Sequence, residues 1–354
     1  MSTESIFEAF ERERQAKARP KAGARRVDGR TMLDEVESSD RPAPDAPCAK
    51  MLHPIITEPG AYPDISNEQY HQTEICDSPS ISSSGLKLIT KKTPLHYWYQ
   101  SPLNPKRPAP KQKQHLALGA ALHDLLLIDG RFEQHYHVLP RGFRADHHQK
   151  WADELAEMRT AEAAGKTILT AESYDMVEAT ADAIGRNELA QALLTAGTPE
   201  MTLAAKDPVT GVWMRSKPDV LPETMEIIPD VKTAADASLD VYERAATRFG
   251  YFQSAAHYLD VIEQLYGPAK RRFVLITVEK EPPYCVTVDN LDGDDINYAR
   301  YRNRAALNKF AEALKTGVWH GYTTPEKPVR NLQMTTYERQ LIDRAIERGE
   351  LSYN

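Results

Sequence analysis

A chain of 354 residues, 41% of them hydrophobic, is long enough for one large domain or two smaller ones around a real core. Its formal charge of −7 excludes a uniformly basic nucleic-acid coat, so a nucleic-acid partner has to be met by a local basic channel. Cys48, Cys76 and Cys285 are scattered and form no CxxC pair, which excludes zinc-ribbon and iron–sulfur spacing; with no bilayer-length apolar run and no signal-peptide core, a cytoplasmic protein without membrane contact is expected.

Residues 1–53 read as a mobile N-terminal arm. Ser5–Gln15 has the spacing of a short helix with Ile6, Phe7 and Phe10 on one side, but the Arg-, Lys-, Pro- and Gly-rich run after it cannot bury a core. That basic run is open to two readings, a solvated tail or a contact with DNA or a partner. The folded domain is expected over 54–322. GAYPDISNEQYHQ places turn residues before a short helix capped by Ser66 or Asn67; Ser83 or Ser84 caps the next, GLKLITKKTP, and Pro94 limits it. His96, Tyr97, Trp98 and Tyr99 follow, either packed on the sheet or free to stack on bases. Pro102–His115 is a proline-punctuated loop carrying Lys106, Arg107, Lys111 and Lys113, suited to one wall of a phosphate channel.

Leu116–Ile128 reads as a buried helix, apolar nearly all round. His123 stands four residues after Gly119 and shares its face, where the glycine would let another backbone approach. His123 is either a hydrogen-bonded core residue or a metal ligand, the second only if this helix faces the edge that carries Asp219 and Asp230. Residues 144–195 read as helical scaffold throughout. At Glu200 the period becomes alternating, and PEMTLAAKDPVTGVWMRSKPDV reads as a hairpin turned at Asp207–Gly211. Glu200 opens its first strand, as a third carboxylate ligand or as an exposed strand end.

Chemistry concentrates in KPDVLPETMEIIPDVKT, residues 217–233, read as strand, turn, strand. Residues two apart on a strand share a face, so Asp230 and Lys232 point the same way while Val231 points into the core. If the turn at Pro222–Thr224 brings Asp219 beside Asp230, two carboxylates and an ammonium converge at a sheet edge. Two close carboxylates repel unless a cation or proton lies between them, and oxygen ligands suit Mg2+. The bland alternative is a solvated Asp–Lys pair on an exposed strand. Beyond it, Leu239–Phe249 and Tyr251–Leu265 read as helices, RRFVLITVEK and YCVTVDN as strands turned at Glu281–Pro283, and Asp289–Thr316 as a long helix with Arg300, Arg302 and Arg304 on or near one side. Residues 323–354 read as a linker and a last helix from about Thr335.

The ordered set ISNEQYH, the serine-led helix before TPLHYWY, LALGAALHDLLL, MRSKPDVL, IIPDVKT and GYFQSAAHYLD resembles the RecB-like branch of the PD-(D/E)XK nuclease superfamily. More narrowly it resembles the RecE-type exonucleases (exodeoxyribonuclease VIII) of prophage recombination systems. The resemblance implies an α/β (α+β) fold, a restriction-endonuclease-like core in which a central mixed β-sheet is flanked by helices and holds the site at one edge. It implies that His123, Asp219 and Asp230 bind Mg2+, with the backbone carbonyl of Val231 as a further ligand; the imidazole makes Mn2+ suitable too. It implies that Lys232 positions the attacking water and steadies the scissile phosphate. The implied activity is Mg2+-dependent degradation of linear double-stranded DNA from 5′ ends by a homo-oligomeric ring, leaving 3′ single strands for a single-strand annealing protein.

One departure stands out. The family's helix motif has Gln four residues before Tyr, whereas here Ser254 occupies that place relative to Tyr258 and Gln253 lies one residue, about 100°, away. Tyr258 and Gln253 are both candidates for the catalytic set, with Gln253 or Ser254 left open for the motif position. The displaced Gln253 and the acidic charge leave an alternative, a catalytically inactive DNA-end-binding recombination scaffold.

Overall fold

A computed structural model describes residues 55–71, 75–108 and 114–353. In chain order its elements are strand β1 (Gly60–Tyr62), helix α1 (Asn67–Tyr70), β2 (Ser80–Ser82), α2 (Ser83–Lys91), α3 (Pro94–Gln100), α4 (Gln114–Leu127), α5 (Arg131–His135), β3 (Tyr136–Val138), α6 (Ala152–Ala163), β4 (Thr167–Leu169), α7 (Ala171–Gly185) and α8 (Glu188–Leu194). There follow β5 (Gly197–Pro199), β6 (Thr202–Lys206), β7 (Trp213–Ser216), β8 (Val220–Pro222), β9 (Ile227–Ala234), α9 (Leu239–Phe249), α10 (Tyr251–Tyr266), β10 (Arg272–Glu279), β11 (Val286–Asn290), α11 (Gly293–Thr316) and α12 (Thr336–Glu347). All described residues except Thr316–Val318 belong to one compact unit. The proposed N-terminal arm with its Ser5–Gln15 helix, and Lys111 and Lys113, lie outside the described residues.

The fold is mixed α/β, with mixed sheets flanked by helices. A four-stranded sheet has the order β1-β6-β7-β2 and a three-stranded sheet the order β11-β10-β9, beside the two-stranded pairs β3-β4 and β5-β8. In the three-stranded sheet, β10 runs parallel to β9 and antiparallel to β11. The two faces of the β9–β10 ladder bury different neighbours because strand side chains alternate. Ile228, Ala234, Phe273 and Leu275 join a core with Leu86, Ala255, Leu259 and Phe310 from α2, α10 and α11. Val231, Ile276 and Val278 join a second core with Leu122 of α4 and Val177 and Ile184 of α7. Ala255 and Ala256 are small enough to let α10 lie directly on the sheets, and both are fully buried.

One open alternative is resolved and several local expectations are corrected. Ser66, not Asn67, caps α1, in a reciprocal box with Gln69. Ser82, one residue before the two serines proposed, precedes α2. Pro94 opens α3 rather than merely ending α2, because a proline at the first helical position forfeits no hydrogen bond, and Thr93 caps it. Tyr97 of α3 packs edge-on to Phe310 and against Trp319, so it is bound to the helical layer. The stretch 144–195 is not helical throughout: β4 pairs in parallel with β3. Three-residue strands are too short to display an alternating period. The long helix begins at Gly293, since 286–290 remain in the β11 ladder. Two of its arginines are committed to the fold: Arg300 pairs with Asp260 and Glu263, and Arg304 holds Asp207 with two hydrogen bonds.

Gly197 is required by close approach. A Cβ there would lie 2.0 Å from the carbonyl oxygen of Leu221, so only glycine permits the β5–β8 pairing. At Gly119 the expectation of close backbone approach fails, because nothing lies within 4 Å of the Cβ position. Among the described residues no helix is long and apolar enough to cross a membrane.

Candidate active site

The β5–β8 ladder ends by joining Glu200 to Asp219, whose carbonyl accepts a hydrogen bond from Glu200 N at 3.0 Å. This cross-strand link sets the two carboxylates side by side. Glu200 does not open a strand, as the alternation suggested. It sits between β5 and β6 with φ 53°, in the left-handed region unusual for a side-chain-bearing residue. That kink turns its carboxylate inward, where Oε2 lies 3.4 Å from Lys217 Nζ and 3.5 Å from an Arg131 guanidinium nitrogen.

Asp219 is buried, and its Oδ2 accepts a hydrogen bond from Val231 N at 2.5 Å, which ties the start of β8 to the middle of β9. Its Oδ1 lies 3.3 Å from Nδ1 of His123. Helix α4 therefore does face this edge. The other ring nitrogen of His123, Nε2, lies 3.2 Å from the carbonyl oxygen of Val231. Both imidazole nitrogens thus face acceptors. Burial disfavours the charged ring, but Asp219 outweighs it and raises the pKa to about 9. Burial likewise acts to raise Asp219, and His123 outweighs it, so that carboxyl is held below its ordinary range.

Asp230 and Lys232 share a face of β9 and are in direct contact as an ion pair. Lys232 Nζ also donates to the carbonyl of Val231 at 3.0 Å. Burial would lower the lysine's pKa, yet Asp230 and Asp219 raise it. Burial pushes Asp230 upward against the pull of Lys232. Tyr258 of α10 is edge-on to Phe273 and stays a phenol: burial raises its pKa well above 10, and the charges of Asp230, Asp219 and Glu200 add to this.

Donor atoms of His123, Glu200 and Asp219 lie within 4.8 Å of one another. The carbonyl of Val231 stands next to them. A half-buried imidazole, two carboxylates and a carbonyl fit a divalent cation of the Mg2+ or Mn2+ kind. The fit has a further sign: Glu200 Oε2 is buried and receives no hydrogen bond. Asp230 lies outside that group of three, its carboxylate being taken by Lys232.

Gln253 is the sequence candidate that the structure does not bring to the carboxylates. Its amide donates to Thr90 Oγ1 and Asn303 Oδ1, both at 3.0 Å, and it walls a cleft of about 490 Å³ with Tyr242, Leu275 and Asp292. The rotation of one residue on the helix is the reason. Ser254 takes the other direction and accepts a hydrogen bond from Lys87 at 2.8 Å.

Residues without an assigned role in the sequence complete the surroundings. Lys217 is buried and donates to the carbonyl of Ile65 at 3.0 Å and to Asn67 Oδ1 at 2.8 Å. Its place two residues before Asp219, in the short link between β7 and β8, was the available signal. Arg131 lies between Glu200 and Asp124, and Asp124 Oδ2 is 2.7 Å from His135 Nδ1. No spacing in the sequence links these three to the carboxylates.

Residues 82–326 match the family described as a PDDEXK-like domain of unknown function, DUF3799. No curated protein matches the chain. Among solved structures it is similar to a candidate exonuclease from Eubacterium rectale, at 15% identity and TM-score 0.53, covering 78% of this chain and 97% of that one. It is also similar to a phage-related exonuclease from Haemophilus somnus, at 13% identity, covering 67% of this chain and 95% of that one, with a TM-score of 0.30 that carries no weight for the fold. The first likeness shows the fold. The chain belongs to the PDDEXK-like family DUF3799, and with it to the nuclease-type hydrolases of the PD-(D/E)XK fold.

Proposed function

We propose that this protein is a Mg2+-dependent exonuclease that degrades linear double-stranded DNA 5′→3′ and leaves 3′ single-stranded tails for recombination by strand annealing. The observation that carries the hydrolytic part is the convergence of His123, Glu200, Asp219 and the Val231 carbonyl beside the Asp230–Lys232 pair. A divalent cation held by the first group supplies Lewis-acid polarisation of a phosphodiester. Lys232 presents N–H donors and positive charge to the phosphate and to the attacking water. Asp230 keeps that amine aimed, and Asp219 holds the cation-binding end of α4 against β9 through His123 and Val231. Tyr258, a neutral phenol at the same edge, offers one donor. Polarity, a homo-oligomeric ring and hand-over of 3′ tails to an annealing protein are supported by the resemblance of the ordered motifs.

The test uses linear, circular and 5′-protected duplex with Mg2+, Mn2+ or EDTA, for the wild type and Lys232→Ala. Nucleotide release from unprotected linear duplex only, abolished by EDTA and reduced at least about a hundredfold by Lys232→Ala, is expected. Equal digestion of circular duplex would remove the exonuclease reading, and undiminished activity of Lys232→Ala would remove the mechanism. The second reading, an inactive DNA-end binder, draws on the commitment of Gln253 to Thr90 and Asn303. It predicts a stable complex with duplex ends and no metal-dependent nucleotide release.

A further inference from the structure

Lys87 rises from α2 toward the junction of α9 and α10. Its Nζ donates to Ser254 Oγ at 2.8 Å, and among the described residues it has no carboxylate at ion-pairing distance. The junction is shaped around its stem. Gly250 ends α9 and begins α10 with φ 71°, and a Cβ there would meet Lys87 Cδ at 2.9 Å. Two requirements, a left-handed backbone and room for a lysine, thus fall on one glycine. One turn further along α2, Lys91 Nζ donates to the carbonyl of Arg248 at 2.5 Å, which fixes the helix against the same junction.

The amine is half-buried and stands in the field of the catalytic pair. Burial lowers its pKa to about 8, the charge of Lys232 adds to that, and Asp230 opposes it. A desolvated ammonium with one neutral partner has N–H donors left over and a charge left unbalanced. A pure strut between α2 and α10 would have no need of a charge in that position. A polyanion entering beside Lys232 supplies the missing anion.

We infer that Lys87, held by Ser254 and threaded past Gly250, is a phosphate-binding residue that receives a backbone phosphate adjacent to the one being cut. This rests on the nuclease reading above. Its role is in binding and in seating the strand, so Lys87→Met should act mainly on KM.

The experiment pairs Lys87→Met and Lys87→Arg with duplexes in which each phosphate flanking the cut is replaced in turn by an uncharged methylphosphonate. Cleavage kinetics are read with Mg2+, and duplex binding by anisotropy is read with EDTA. For Lys87→Met, KM and the binding constant should weaken at least about tenfold with kcat changed less, and Lys87→Arg should recover most of the loss. One methylphosphonate position should weaken the wild type by a similar factor and add nothing to Lys87→Met. If Lys87→Met does not fold, Ser254→Ala, which frees the amine, must reduce that same methylphosphonate penalty. An unchanged KM in Lys87→Met while the wild type cuts, or methylphosphonate and mutant penalties that multiply, overturns the assignment and leaves the nuclease reading intact. A wild type that releases no nucleotide from any duplex removes the nuclease reading, and the role of Lys87 with it.

Discussion

Replacing Lys217 by Met should destabilise the protein and at the same time tighten its hold on a divalent cation. The lysine is buried, donates to Ile65 O and Asn67 Oδ1, and stands 3.4 Å from Glu200 Oε2. Each of those two charge-assisted hydrogen bonds is worth about 1.5–3 kcal/mol. Breaking a buried ion pair on one side costs about 3–5 kcal/mol, since the partner charge stays behind. Methionine fills the volume and removes the lysine's own desolvation cost, so a net loss of about 3–4 kcal/mol is expected in EDTA. The cation responds in the opposite sense. Removing the positive charge beside Glu200 would lift a repulsion on a divalent ion held there, worth about 1 kcal/mol or more at effective dielectric constants of about 20–80. The cation should therefore bind at least about tenfold tighter, and at saturation the stability gap to wild type should narrow by about 1.4 kcal/mol or more. Urea unfolding followed by intrinsic fluorescence, in EDTA and in saturating Mg2+, measures both quantities. A loss below about 1 kcal/mol in EDTA, or a gap that Mg2+ leaves unchanged, would refute the placement of Lys217 as counter-charge to a metal-binding Glu200.

Four further outcomes follow from the structure. His123 has a pKa of about 9 in the cation-free site, so cation binding must displace a proton; the apparent Kd should improve by about tenfold per pH unit from pH 7 to about 9 and then level off, with a proton released per ion in calorimetry. Because that folded-state pKa is raised above 6.5, its contribution to the cation-free fold is complete below pH 6.5 and is lost as pH rises through about 9, which urea titrations at several pH values will read. Gln253→Ala should cost about 1–3 kcal/mol of stability by stranding Asn303 and Thr90, yet keep the cleavage rate within about threefold when assayed well below melting. Gly119→Ala should raise stability by about 0.5–1 kcal/mol in urea, because the helical glycine has nothing within 4 Å of its Cβ position.

Much of the edge was legible because its parts are close in sequence. Asp219 and Asp230 are joined by one short turn, and alternation along β9 alone puts Asp230 and Lys232 together with Val231 inward. His123 was legible only as a conditional, since nothing in an apolar helix says which strand it will face. What decides it is the packing of Leu122 against Val231 and Ile276 in one core, which turns the next residue toward the strand's carbonyl. Lys87 was out of reach of any spacing argument: its partner Ser254 is 167 positions away, and only the seating of α2 on α10 brings them together. The short strands β3, β4 and β5 were invisible for a different reason, having too few residues for a period.

Glu200 shows why an open reading at the sequence level concealed the most constrained carboxylate of the site. An acidic residue at the start of an alternating run reads equally as a ligand or a strand end, because the run says nothing of the residue's backbone. In the fold, Gly197 lets β5 come within reach of Leu221, the ladder carries on to Glu200 N and Asp219 O, and β6 then departs in a new direction. The change of direction is taken up at Glu200 in a left-handed conformation, which for a side-chain-bearing residue costs about 1–2 kcal/mol. A strand end with a solvated carboxylate would give no return for that strain. Here the strain places Oε2, buried and without a hydrogen bond, between Lys217 and Arg131 and within reach of His123 and Asp219. Two flanking cations offset the carboxylate's charge while leaving the lone pairs of Oε2 free of hydrogen bonds, and a hard divalent ion takes such oxygens as ligands.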